Sequence, residues 1–154
     1  MDQVHLLAQR ITLLADHAQT LVVEHGIDTQ VWDIHGPHYD TITVMDDGAA
    51  VAACGLTDSG LRVATVSPQS LPRGNETGGI SESTISLAAG TPWVFTSVSA
   101  VFTSKDCADP VQAALSAATN APPYEELFSA QQAAWQRLWD DARVEIDGDE
   151  RAEF

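Results

Sequence analysis

The chain has 154 residues, with 22 Asp+Glu against 7 Lys+Arg and a formal charge of −15 at pH 7. That length suits one domain, and that charge excludes nucleic acid and anionic membrane surfaces, which need a stripe of cations. Its 44% hydrophobic and 19% charged content belongs to a globular domain able to bury a core, not to a disordered acidic tail.

In chain order, the first two thirds predict β structure. Val4 to Leu14 is rich in Val, Ile, Leu and Thr and breaks at Ala15-Asp16-His17-Ala18, after which Thr20 to Glu24 runs to Gly26. Residues 41 to 45 and 49 to 54 flank Asp46-Asp47-Gly48; Asp-Gly between apolar runs predicts a tight hairpin with both turn residues at positive φ. Leu61 to Val66 follows the Asp58-Ser59-Gly60 turn. Residues 67 to 79 hold two Pro and three Gly and predict a long loop. Ile80 to Leu87 alternates, Ala89-Gly90 turns the chain, and Pro92 to Thr103 forms a further strand. Short strands at this spacing predict an antiparallel β-sandwich.

The last third changes period. Asp109-Pro110 supplies an N-cap and a first-turn proline for a helix to about Ala118. Asn120-Ala121-Pro122-Pro123 breaks it, and the apolar positions from Tyr124 predict an amphipathic helix to about Asp141. Trp135 and Trp139, four residues apart, are expected to pack buried against a neighbouring layer. Val144 and Ile146 then alternate with charges before Asp147-Gly148.

The densest cluster of functional side chains is Trp32-Asp33-Ile34-His35-Gly36-Pro37-His38-Tyr39-Asp40. Its histidines and carboxylates suit a metal, its Gly-Pro suits a structured loop, and its Trp and Tyr suit a sugar-facing surface. The structured loop outweighs the metal site, because the turn separates His35 from His38 and no third histidine has a committing spacing. Asp46/Asp47, Asp140/Asp141 and the acids from Glu145 to Glu150 read as solvated surface charge, not as a catalytic pair held across a cleft. No phosphate loop, nucleotide fingerprint or nucleophile elbow is present. Cys54 and Cys107 read as small, buried or half-buried thiols, with one bridge between them as the alternative. No cofactor, no metal and no catalytic residue are expected. The opening residues, with Asp2, His5 and Arg10, do not read as a secretory signal, and a cytoplasmic protein is expected.

Two segments carry a resemblance. The helix from Phe128 to Trp139, with its Ala134-Trp135-x-x-Leu138-Trp139, followed by Val144-Glu145-Ile146-Asp147-Gly148-Asp149, resembles the linker of family 65 glycoside hydrolases and phosphorylases. Gly26-Ile27-Asp28 and Trp32 to His38 are similar to a passage of that family's sandwich domain. Gln131 stands where the family tends to have His, and His35 where it has Asn. The strand from Pro92 to Thr103, with Ser104-Lys105-Asp106 after it, also falls where the family's last long sandwich strand ends.

The resemblance implies a β-sandwich at residues 1–106, a helical linker at 107–142 and, at 143–154, the start of a segment leading to an (α/α)6 catalytic barrel. That barrel carries the family's general acid, so no residue here is matched to it and the chain is expected to be inactive by itself. Family members cleave α-glucosides such as maltose, trehalose or kojibiose by phosphorolysis or hydrolysis. The expected role is therefore packing on the barrel, forming a homodimer and supporting the rim of the sugar site, with Trp32, His35, His38 and Tyr39 as rim candidates. The alternative is a stand-alone β-sandwich that binds carbohydrate or a protein; an independent hydrolase using surface carboxylates comes last. Exposure of Trp135 and Trp139 separates the first two, because a sandwich that packs on a barrel leaves them uncovered and a self-contained module buries them.

Overall fold

The computed structural model describes residues 3–30, 34, 36–69, 71, 76–77 and 79–142. Among them run strands β1 (Leu6–Leu13), β2 (Gln19–Gly26), β3 (Tyr39–Asp46), β4 (Ala50–Thr57), β5 (Arg62–Pro68), β6 (Glu76–Thr77), β7 (Ile80–Leu87) and β8 (Trp93–Thr103). Helices α1 (Pro110–Thr119) and α2 (Tyr124–Ala142) follow. The strands pair antiparallel in two sheets, ordered β1-β8-β5-β4-β3 and β2-β7-β6. The expected β-sandwich with two C-terminal helices is what forms. Trp32, His35, residues 70, 72–75 and 78 of the expected 67–79 loop and the 143–154 segment lie outside the described residues; the described part of that loop holds the end of β5 and the two residues of β6.

Alternation along the strands gives the five-stranded sheet two unlike faces. One carries Leu6, Ala50, Ala52, Val66, Ala100 and Phe102, and it shares a core with Ala114 and Ala118 of α1. Small side chains on both surfaces let the helix backbone come close to the sheet, which keeps this core dense. The local signals placed α1 where it lies: the Asp109 carboxylate accepts from the Gln112 amide at 3.1 Å, and Pro110 opens the first turn. The other face meets the three-stranded sheet, where Ala15, Ile85 and Leu87 are buried with Leu13, Leu21, Val23 and Trp93 around them.

Two expectations are corrected. The β3–β4 hairpin is not a two-residue turn with two positive φ values. Among the described residues no non-glycine has positive φ, and Gly48 takes φ +90° by itself. The Asp46 and Asp47 carboxylates supply the rest, accepting from the amides of Gly48, Ala49 and Ala50 at 2.9 Å each. The second correction concerns Trp135 and Trp139, which are 49% and 60% exposed. The apolar positions of α2 do not share one face. Leu127 and Ala134 are its buried residues, whereas Phe128, Trp135 and Trp139 form a stripe roughly 100° further round. α2 rests on β1 and the end of β8, and β1 is an edge strand too narrow to cover both stripes.

Candidate functional site

β2 ends at Gly26, where the chain passes against Gly79. Gly26 has φ +144°, and a Cβ there would collide with the Gly79 carbonyl. Only glycine fits. The Ile27 amide donates to that same carbonyl at 3.0 Å, and the Asp28 carboxylate then accepts from the Gln30 amide at 2.8 Å. Tyr39 re-enters the sheet at the start of β3 with an irregular register between Tyr39 and Thr41. Its ring lies over Gly55 of β4, in space that any larger residue at that position would fill. Tyr39, Asp28 and Thr29 border a cavity of about 100 Å³ whose apolar wall includes Ile42 and Val63.

Of the four rim candidates, Tyr39 is thus fixed by packing and His38 is exposed beside it; Trp32 and His35 are not described. Gly36 takes φ +96°, the turn that Gly36-Pro37 was expected to force. Ile34, in the same loop, is 94% exposed. Among the described residues no group of three or more His, Cys, Asp or Glu side chains is placed to hold a metal ion. Cys54 and Cys107 are free and half-buried.

The carboxylates serve the fold. Asp46 and Asp47 cap the hairpin, and Asp106 accepts from the Thr103 hydroxyl and amide at 2.8 Å each. Those Thr103 bonds hold the Asp106 carboxyl below its usual range. Glu125 is likewise held low, by its hydrogen bond from Arg10. Arg10 also lies over the Tyr124 ring, 4.1 Å from its centre. It therefore pins the first turn of α2 to β1.

Past the buried Ala134, α2 is little supported by the described residues. Every residue from Trp135 to Ala142 is exposed. Phe128, Trp135, Leu138 and Trp139, all half-exposed or more, leave about 450 Å² of apolar surface on one helix, the size of a functional patch on a soluble protein. No described helix is long and apolar enough to cross a membrane. The sequence missed a further feature, the polar inner face of β8 at Ser97 and Ser99. Its signal was visible: Trp93, Phe95, Ser97 and Ser99 recur every second residue, so aromatic gives way to hydroxyl along one face.

The chain is thus a sandwich of two antiparallel sheets extended by a helix with an uncovered aromatic stripe. The model for "Glycosyl hydrolase family 65, N-terminal domain" matches residues 1–138, and the chain belongs to that family. It is 26% identical over 185 aligned positions to the nigerose phosphorylase of Lachnoclostridium phytofermentans, covering 99% of this chain and 25% of that protein. It is also 26% identical over 158 positions to the 1,2-α-glucosylglycerol phosphorylase of Bacillus selenitireducens, covering 92% of this chain and 20% of the relative. A solved structure assigned as a kojibiose phosphorylase, from human microbiome, has the same fold with a TM-score of 0.74 at 14% identity, over 88% of this chain and 20% of that one. The chain thus spans a quarter or less of the length of these relatives.

Proposed function

We propose that this chain is the sandwich-and-linker part of an α-glucoside phosphorylase, seated on a catalytic barrel through the distal half of α2. The observation that carries this reading is the exposed stripe of Phe128, Trp135 and Trp139, with exposed Leu138 beside it. Large aromatics at the centre of an apolar patch are what buried interfaces are built around, and a self-contained binding module would have covered them. Family membership and the phosphorylase names of the relatives support an α-linked glucose disaccharide as the substrate of the assembled enzyme. The loop from Trp32 to Tyr39 contributes to the rim of its sugar site, and a second copy of the chain completes a homodimer. Two free thiols suit the reducing cytoplasm.

The test uses a longer chain that carries the barrel. Trp32→Ala and His38→Ala raise KM for nigerose or kojibiose several-fold with kcat held, the signature of lost ground-state contact; unchanged KM in both removes the rim assignment. The 154-residue chain by itself releases no glucose 1-phosphate from maltose, trehalose, nigerose or kojibiose in phosphate buffer. Turnover by it overturns the non-catalytic reading.

A further inference from the structure

The space between two packed sheets is ordinarily filled by interdigitating apolar side chains. Here that holds for only half of it. On the inner face of β8, Trp93 and Phe95 are followed by Ser97 and Ser99. On the facing sheet, the inner residues of β7 run Leu87, Ile85, Ser83 and Ser81, with Val23 and His25 of β2 paired to the two serines. Both sheets change from apolar to hydroxyl, and the serines are not exposed: Ser81 and Ser83 are each 1% accessible.

Hydroxyls taken out of water need partners. The Ser83 hydroxyl is bonded to His25 Nε2 at 3.2 Å, and Ser99 donates to Ser67 at 3.1 Å. Among the described residues Ser81 Oγ has no partner. The sheets have not collapsed onto these groups. Between β1, β2 and β8 lies a cleft of about 340 Å³, bordered by Gln9, His25, Trp93, Phe95, Ser97 and Ser99; Ser81 lies behind it, not on its border.

We propose that this cleft is a binding site for a small neutral polyhydroxylated ligand, a monosaccharide or a comparable polyol. The Trp93 and Phe95 rings stack nearly parallel, their centres 6.1 Å apart, and give the cleft an apolar end against which the C–H groups of a pyranose can rest. Ser97, Ser99, His25 and the Gln9 amide supply donors and acceptors for its hydroxyl edge. Desolvation by burial lowers the His25 pKa below its ordinary 6.5, so at neutral pH the imidazole is uncharged and, with Nε2 on Ser83, offers Nδ1 to a ligand. Among the described residues bordering the cleft there is no Lys or Arg, while Glu24 and Asp28 stand there. A sugar phosphate or other anion is therefore disfavoured, and a purely apolar ligand would strand the hydroxyls. The cleft is within the range of small-molecule sites and holds a ligand of about a dozen heavy atoms, whose affinity lies near 1–10 mM. This site is independent of barrel docking and stands or falls separately.

The test is a titration of the ¹⁵N-labelled full chain with D-glucose and with glycerol to about 100 mM, far enough to saturate a site of this affinity. Saturable amide shifts are expected on β1, β2 and β8 around the cleft, and Ser97→Val with Ser99→Val weakens binding about tenfold. Gln9→Leu, an exposed edge-strand change that leaves the core untouched, weakens it about threefold and serves should the double variant not fold. Linear, unsaturated shifts overturn the proposal. So do saturable shifts centred elsewhere, or an unchanged Kd in the folded variants.

Discussion

The stripe on α2 makes a quantitative demand on the free chain. Four half-exposed apolar side chains present about 450 Å², so two copies meeting stripe to stripe bury about 900 Å², short of the roughly 1,200–2,000 Å² of a stable interface. The chain by itself is therefore expected to dimerise weakly, with a Kd on the order of 10–100 μM. Trp139 is 60% exposed, so its ring contributes little to folding, yet it is the most exposed aromatic of the stripe. Replacing such a residue costs about 2 kcal/mol of association, roughly 30-fold in Kd. Folding should change by no more than about 0.5 kcal/mol, some 1–2 °C in Tm. Sedimentation equilibrium of wild type and Trp139→Glu, with thermal melts of both, reads the two quantities separately. A wild-type chain that stays monomeric to about 500 μM, far above that Kd, refutes the reasoning. A dimer that survives Trp135→Glu with Trp139→Glu refutes it too, and moves self-association to the exposed strand edges.

Two further perturbations probe the sandwich. Gly55→Ala places a methyl group in the Tyr39 ring and is expected to cost about 1–3 kcal/mol; the penalty should fall sharply in the Tyr39→Ala background, and an unchanged penalty in a double-mutant cycle shows that the ring is not what the methyl meets. For pH, the folded chain keeps His25 neutral below the ordinary 6.5, so the unfolded chain binds the proton first. Stability should then fall as pH drops from 6.5 through the lowered value, before the carboxyls of Glu125 and Asp106 begin to lose theirs below their ordinary 4.5 and 3.8. Urea midpoints at pH 5.5 and 7.5 should differ less in His25→Gln than in wild type, and an equal difference rejects the assignment to this side chain.

Much of the fold was legible because it rests on local signals. The Asp109 cap, the Gly90 and Gly60 turns and the period of Ile80–Leu87 each act within a few residues, and each appears where the pattern put it. What sequence reasoning mistook depends on distant neighbours. The apolar positions of α2 look like one face until β1 is seen to be a sheet edge that covers only Leu127 and Ala134. The hairpin type turned on carboxylates capping amides, which composition does not distinguish from a glycine turn. Of the candidate site, Tyr39 was singled out for its aromatic edge, but its fixed position comes from Gly55, sixteen residues away. The cleft was overlooked because serine in a strand reads as surface, and only the opposing sheet reveals it as interior.

The distal half of α2 can be argued one step further, from its charges. A helix C-terminus carries partial negative charge and favours cations there; the last turn of α2 has none and holds Asp140 and Asp141 instead. Gln136 donates to Asp140 at 2.7 Å, a modest compensation at an exposed site. Past Ala134, then, the described residues hold the helix end neither by packing nor by its own electrostatics, and short helical ends in water are marginal. Its apolar stripe and its unmatched carboxylates call for the same remedy, a partner surface with an apolar groove and cations near its end. Asp140→Lys with Asp141→Lys should stabilise that end in the free chain by about 1 kcal/mol, slowing amide exchange from residue 135 to 142 about fivefold. The same change should weaken docking on a cationic partner surface. Exchange left unaltered, or docking made tighter, would falsify the view that this helix end is completed from outside.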